Sequence, residues 1–306
     1  MIEAKEDNTT LNRRKLLKYL KHYGSYPEEY RTMVWRFLLK LPENRDAYET
    51  LLEKNLHPSV KDFRKKFPLK SDRVAKSMEK VLSCLAHWSP IFEELDYLPG
   101  MIFPFVKLFT NDMFSGFETV MAVLTNWCQK WWEYYPNPPI ECLGVIEDLL
   151  SYHDPELLSH FAKNKITSQV YAWGIMQTLF TEITSKLDWL KTWDHFVTNP
   201  PAYMYYFITA YLLASRTSLL AVESVQDYQF FFTRVNPVSI DKIIVSAYQL
   251  HSSTPDVCSP VTFFEPFKPL MRGQYAIFNK YPEFIVNYQS KMKEKIRADE
   301  IEYLRR

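Results

Sequence analysis

The chain has 306 residues, of which 47% are hydrophobic and 16% aromatic, with a net charge of +1. That composition supports a buried core and excludes an intrinsically disordered chain, and the near-zero charge balance gives no global attraction to nucleic acid. The length fits one large helical domain or two small ones. Charge is uneven along the chain. Residues 1–80 carry 19 Lys/Arg against 12 Asp/Glu, which reads as a solvated basic surface or a face for an acidic partner.

Leu16, Leu17 and Leu20 begin a first helical stripe. Pro27 suits the first turn of a second helix, whose apolar positions are Tyr30, Val34, Phe37, Leu38 and Leu41. Periodicity then predicts helices over 43–54, 71–87, 100–110, 113–134, 138–152, 155–163 and 168–184. Further helices are expected at 187–198, 200–214, 225–233 and 237–251. Asn111 or Asp112, Asn137 and Asp154 stand where capping residues belong. No stretch alternates like a strand and no Asn-Gly or Asp-Gly pair marks a hairpin, so the expected fold class is all-α. The longest apolar run, Tyr203 to Ala214, is about twelve residues, whereas a membrane span needs roughly twenty. It is read as a core helix, with no membrane insertion.

Residues 1–250 are expected to form one domain, 251–281 an irregular linker rich in proline, and 282–306 an amphipathic helix. Phe284, Ile285, Tyr288, Met292 and Ile296 lie along one side of that last helix. Such a stripe suits either a coiled-coil partner or docking onto the domain. The polar first ten residues carry no secretory signal pattern, and the charged helix at the end reads as part of a longer protein. Cys84, Cys128, Cys142 and Cys258 form no C-x-x-C pair and are expected to be thiols in a reducing, cytoplasmic compartment.

Several chemistries lack their residues. The six glycines are never adjacent, so no loop can converge backbone N–H groups on a phosphate in a P-loop or Rossmann manner. No G-x-S-x-G elbow occurs. His153 and His160 are seven apart, and no His/Cys/carboxylate cluster has metal spacing. The sequence asks for no cofactor. Trp127, Trp131 and Trp132 read as core, since no basic groove accompanies them as a base-stacking platform would require.

Four blocks in order carry a resemblance. They are Tyr26-Pro27 with Arg31, Val34-Trp35 and Leu38-Leu39; Asp62 to Phe67-Pro68; Tyr97-Leu98-Pro99-Gly100-Met101; and Tyr171-Ala172-Trp173, Leu179-Phe180 and Trp193-Asp194. From about residue 20 to 215 the chain resembles the TBC (Tre-2/Bub2/Cdc16) domain, the GTPase-activating module for Rab proteins, and most of all a member that also carries WD repeats. The resemblance implies a helical fold of more than ten helices in two lobes with a groove between them. Trp35, Trp173 and Trp193 are expected to be largely buried, because each sits on the apolar face of its segment.

That family writes its two active-site signatures with an arginine finger and a glutamine that orients water. Here Lys65 stands at the finger position and Pro99 at the glutamine position. A finger contributes roughly 10³–10⁵ in rate, or about 4–7 kcal/mol. Lysine keeps the charge without the planar fork, and proline has neither a side-chain amide nor a backbone N–H. Asp62 matches the aspartate that would brace the finger. Arg64 is one residue away; on a helix it turns by about 100° and points elsewhere, while in an irregular loop it could reach.

The resemblance therefore implies a catalytically inactive scaffold, with Asp62, Arg64, Lys65, Tyr97, Pro99 and Gly100 around a groove for a Rab-like GTPase or other cytosolic scaffold proteins. The alternative is a weak activator using Arg64 or Lys65. Location at the centrosome or ciliary base is implied by the same resemblance.

Overall fold

The computed structural model describes residues 12–280 and 283–305, with the side chains of the last helix described from residue 291. α1 (Arg13–Tyr23), α2 (Glu28–Leu38) and α3 (Arg45–Glu53) lead into the short α4 (Phe63–Lys66). α5 (Asp72–Trp88), α6 (Ile91–Glu94), α7 (Leu98–Leu108) and α8 (Met113–Asn126) follow. Next come α9 (Ile140–His153), α10 (Pro155–Lys163), a π-helical turn over Gln169–Trp173 and α11 (Gly174–Gln177). α12 (Lys186–Thr198), α13 (Tyr203–Ala214), α14 (Arg216–Leu220), α15 (Val225–Phe232), α16 (Ile240–Ser253) and α17 (Pro260–Phe263) complete the body. α18 (Glu283–Arg305) closes the described chain. Among the described residues there is no strand, so the all-α reading holds.

Side-chain caps start many of these helices. Asp112 accepts from Ser115 N–H at 3.1 Å and Asp154 from Leu157 N–H at 3.0 Å, each satisfying a donor the helix cannot. α9 begins differently from expectation: Pro139 is its cap position and makes no side-chain bond, so Asn137 does not cap it. α13 is apolar all round and is buried from Tyr203 to Leu212, which makes it the central helix. It packs against α16 and α9.

The same core continues between α2, α7 and α12. Phe105 meets Trp189 and Trp193 edge-on, at 4.9 and 4.7 Å between ring centroids, the arrangement that aromatic quadrupoles favour. Trp35 and Trp193 are fully buried, as expected. Trp173 is only half-buried, its ring set edge-on against Trp131 and Tyr97.

The first and last of the four sequence blocks meet at Asp194. Its carboxylate, fully buried on α12, accepts from Arg31 Nε at 3.0 Å, Trp35 Nε1 at 2.7 Å and Tyr26 N–H at 2.9 Å. Burial pushes this carboxyl above its ordinary range, and the Arg31 charge and the donated bonds pull it back.

Two predicted helices are shorter than their periodicity suggested. The segment 113–134 stops at Asn126, and the chain then turns through Lys130 at φ +60°. Trp127, Trp131 and Trp132 are core residues, as expected, carried by the turns that follow α8. The segment 168–184 breaks after Gln177, because Leu179 and Phe180 both adopt positive φ, +46° and +73°. No glycine announces this turn. It is held by complete burial of both side chains and by the Leu179 carbonyl, which accepts from Trp189 Nε1 at 2.9 Å and Trp193 Nε1 at 3.4 Å.

After α17 the chain runs over the surface of α8 as a strap, fastened by buried amide side chains. Gln129 receives Glu265 N–H at 2.9 Å and gives to its carbonyl at 3.0 Å. Asn126 brackets Lys268 in the same way, at 2.8 and 3.0 Å. Asn44 gives to the Met271 carbonyl at 2.7 Å and accepts from Gly273 N–H at 2.8 Å. In α18, residues 291–297 are exposed, Met292 and Ile296 among them. The side chains of Phe284, Ile285 and Tyr288 lie outside the described residues.

Candidate functional site

α4 has no side-chain cap at Asp62; its turn is closed by Phe67 N–H donating to the Phe63 carbonyl, and the Phe63 and Phe67 rings stack on each other at 5.7 Å. Those rings press against the start of α7, where Pro99 occupies a first-turn position that tolerates a missing N–H. Phe63, Phe67, Leu69, Met78, Pro99 and Gly100 line a cavity of about 270 Å³, closed by Phe103 and by Thr181 and Glu182 of the turn after α11. A neighbouring cavity of about 370 Å³ shares Phe103 and Thr181 and continues past Pro104, Lys107, Lys186 and Trp189 to Glu28. Together they make one groove. α4 forms one wall; the 178–185 turn and α12 form the other.

The floor of the groove is the solvent side of α7. Pro104 has no N–H to give the Gly100 carbonyl, the helical bond that would otherwise form there. A side chain built at Gly100 would meet nothing within 4 Å, so the fold does not itself require glycine at this position. Lys107 lies over the Phe103 ring, 5.5 Å from its centroid.

The residues singled out in the sequence separate into three settings. Pro99 and Gly100 line the groove. Tyr97 is half-buried, its hydroxyl accepting from Trp132 Nε1 at 3.1 Å, and burial raises its pKa. It serves the packing beneath the groove. On α4, Lys65 is exposed and its Nζ rests 3.0 Å from Asp62 Oδ1.

Because residues 63–66 are helical, Arg64 turns toward α5 instead. Its guanidinium grips Glu79 with two bonds of 2.7 and 2.9 Å and Asp72 with a third of 2.7 Å. These bonds hold its pKa above the ordinary value. Bonds from Lys76 and Arg64 in turn hold Asp72 below the usual carboxylate range.

Sequence reasoning missed Phe103, Lys107, Thr181, Glu182 and Lys186 as groove residues. The signal for the first two was present. Pro99, Phe103 and Lys107 recur at a spacing of four on one side of an otherwise buried helix. The wall at 181–186 depends on the left-handed turn at Leu179 and Phe180, which no local residue signals.

Elsewhere the chemistry is structural. His153 is bonded to Thr254 Oγ1 and His160 to the Val222 carbonyl. Among the described residues no His/Cys/Asp/Glu group could hold a metal, and no helix is long and apolar enough to cross a membrane.

A family model described as the Rab-GTPase-TBC domain matches residues 28–220. Over 295 residues, 96% of this chain, the sequence is 46% identical to TBC1 domain family member 31 of Xenopus laevis and 44% identical to that of Homo sapiens. The match covers 27% and 28% of those proteins, so the chain spans about a quarter of their length. Among solved structures, the Ypt/Rab-GAP domain of Gyp1p superposes with a TM-score of 0.64 at 15% identity, covering 80% of this chain and 93% of that one. The Chlamydomonas flagellar RabGAP TBC domain gives 0.64 at 16% identity, covering 80% and 87%. At that identity the likeness is one of fold.

Proposed function

Because the chain belongs to the Rab-GTPase-TBC domain family, we propose that its groove holds a Rab-like small GTPase, or another protein, without accelerating GTP hydrolysis. The observation that carries this reading is the state of the two positions where the family places its catalytic side chains. Pro99 presents a ring with no donor or acceptor to align water. Lys65 offers a point charge that already has Asp62 as a partner. The nearest guanidinium, that of Arg64, is committed to Glu79 and Asp72 on α5. Releasing it would strip three charge-assisted bonds before it could serve a phosphate. The weak-activator alternative therefore has no unoccupied arginine on α4.

Docking is supported by what the groove retains. Its floor is apolar at Phe103 and Pro104 and opens without obstruction at Gly100. A surface with an apolar centre and a polar rim at Lys107, Glu182 and Lys186 is what protein recognition uses.

A pull-down across Rab proteins loaded with a non-hydrolysable GTP analogue, using wild type and Phe103→Asp, tests this half of the proposal. At least one GTPase should be retained by wild type and lost with Phe103→Asp, because a charge would then sit on the apolar floor. Retention of none, or equal retention by both proteins, contradicts GTPase docking in the groove.

A further inference from the structure

Away from that groove, at the C-terminal end of α2, the strap and the start of α1 enclose a second concavity of about 470 Å³. Four cations from four separate segments line it: Arg13 at the first turn of α1, Arg36 on α2, Lys40 in the turn after α2, and Arg272 on the strap. Its remaining walls are Phe37, Leu38, Leu41, Pro269 and Leu270, and no carboxylate lines it among the described residues. Two acids stand near. Glu43 accepts from Arg36 at 2.8 Å, and Asp112 lies 3.7 Å from the same guanidinium. Those contacts offset part of one charge and leave Arg13, Lys40 and Arg272 without a carboxylate within ion-pair distance among the described residues.

Local structure fixes these side chains at their base. Arg13 donates to the Thr198 carbonyl at 2.8 Å, which anchors one edge of its guanidinium. Lys40 sits in a left-handed turn at φ +48°, closed by Lys40 N–H to Phe37 O and Leu41 N–H to Arg36 O. Glycine is the residue ordinarily favoured there, so lysine is placed against local preference. Arg272 is flanked on both sides by the Asn44 bracket, to Met271 O and Gly273 N–H, and Asn44 is itself buried. Gly273, at φ +96°, turns the strap away immediately afterwards.

We propose that this cleft binds a compact group carrying two or more phosphates. Charge decides between candidates. A single carboxylate supplies one negative charge, while each phosphate monoester supplies about 1.5 to 2 at neutral pH. Three to four cations converging on one small volume are therefore balanced by two phosphates and not by one acid. Guanidinium forks also match phosphate oxygens in geometry. The group can reach the cleft as a free inositol phosphate or as the headgroup of a phosphorylated inositol lipid. The exposed Phe37 and Met271 beside the cations would meet a membrane only in the second case.

The test is isothermal titration of the full chain with inositol trisphosphate at about 0.15 M salt, where purely diffuse attraction is screened. A parallel flotation assay uses phosphatidylcholine vesicles with and without a bisphosphorylated inositol lipid. Wild type should bind the trisphosphate saturably at one site. Lys40→Glu/Arg272→Glu should bind at least about tenfold more weakly, since two charge-assisted contacts are reversed. The milder Lys40→Gln/Arg272→Gln should fall between. Lys242→Glu, an exposed lysine on α16, should bind like wild type. Melting followed by circular dichroism confirms that each variant is folded.

Recruitment to the lipid vesicles, competed by the soluble trisphosphate, supports the site with a lipid source. Soluble binding without recruitment supports it with a free source. Absence of saturable binding to both probes overturns the proposal. So does an equal loss in Lys242→Glu, or binding that survives reversal of Lys40 and Arg272.

Discussion

Burial sets the protonation of His195 more firmly than any neighbour does. The ring is enclosed on α12, where Nε2–H donates to the Gly24 carbonyl at 3.1 Å and Nδ1 accepts from Tyr248 Oη–H at 2.9 Å. Desolvation pushes its pKa down to about 4. As pH falls below about 6.5, the unfolded chain takes up a proton that the folded ring refuses until about 4. Stability therefore declines across that window, by about 3 kcal/mol from this group. His153 and His251, lowered by burial, act with the same sign. Asp194 and Glu118, raised by burial, act with the opposite sign. The His195 contribution is thus read as a difference. Urea unfolding of wild type and His195→Asn at pH 7 and pH 4.5 should show a smaller loss of stability in the variant. Equal losses in both would contradict a buried neutral ring. At this scale Asp62, Lys65 and Pro99 could be placed because they stand where the resembling family writes its two signatures. The fate of Arg64 was not. Its partners Asp72 and Glu79 lie 8 and 15 residues further on, and only the placement of α4 against α5 brings them into reach.

Elements differ in how much of their shape is local. α13 could be read directly, since a twelve-residue run without a polar face has to be central. The turn at Leu179 and Phe180 could not, because two large side chains hold a conformation that short polar residues or glycine usually supply. The strap was equally hidden. Its prolines predicted irregular backbone, but its fasteners are amides 136 to 229 residues away in sequence. Each amide replaces the two hydrogen bonds a strand neighbour would give, so backbone that would otherwise be unpaired is satisfied. Asn126→Ala removes both bonds to Lys268 and leaves polar backbone against an apolar wall. It should lower stability by about 1–3 kcal/mol. Hydrogen exchange across residues 264–279 should quicken in that variant, and unchanged exchange would show that packing of Phe264 and Phe278 alone holds the strap.

Across the whole molecule, the all-helical class followed from sequence, while the meeting of the first and last sequence blocks at Asp194 and the groove walls did not. Arg31, Trp35 and Asp194 converge because α2 and α12 pack together, and that buried ion pair is fixed by two further donors, Tyr26 N–H and Trp35 Nε1. Removing Asp194 alone would strand the Arg31 charge in the core, the situation that makes broken buried pairs so destabilising. Pro99 lines the groove, and Lys65 stands exposed on α4, beside Asp62. Restoring Lys65→Arg by itself leaves water unaligned, so the account expects little from it. The decisive measurement is single-turnover GTP hydrolysis by the Rab proteins with wild type, Lys65→Arg/Pro99→Gln and Arg64→Ala. The account predicts no acceleration by wild type and a measurable gain in the double variant, against the roughly 10³–10⁵ that an arginine finger supplies. Robust acceleration by wild type that Arg64→Ala abolishes would contradict it.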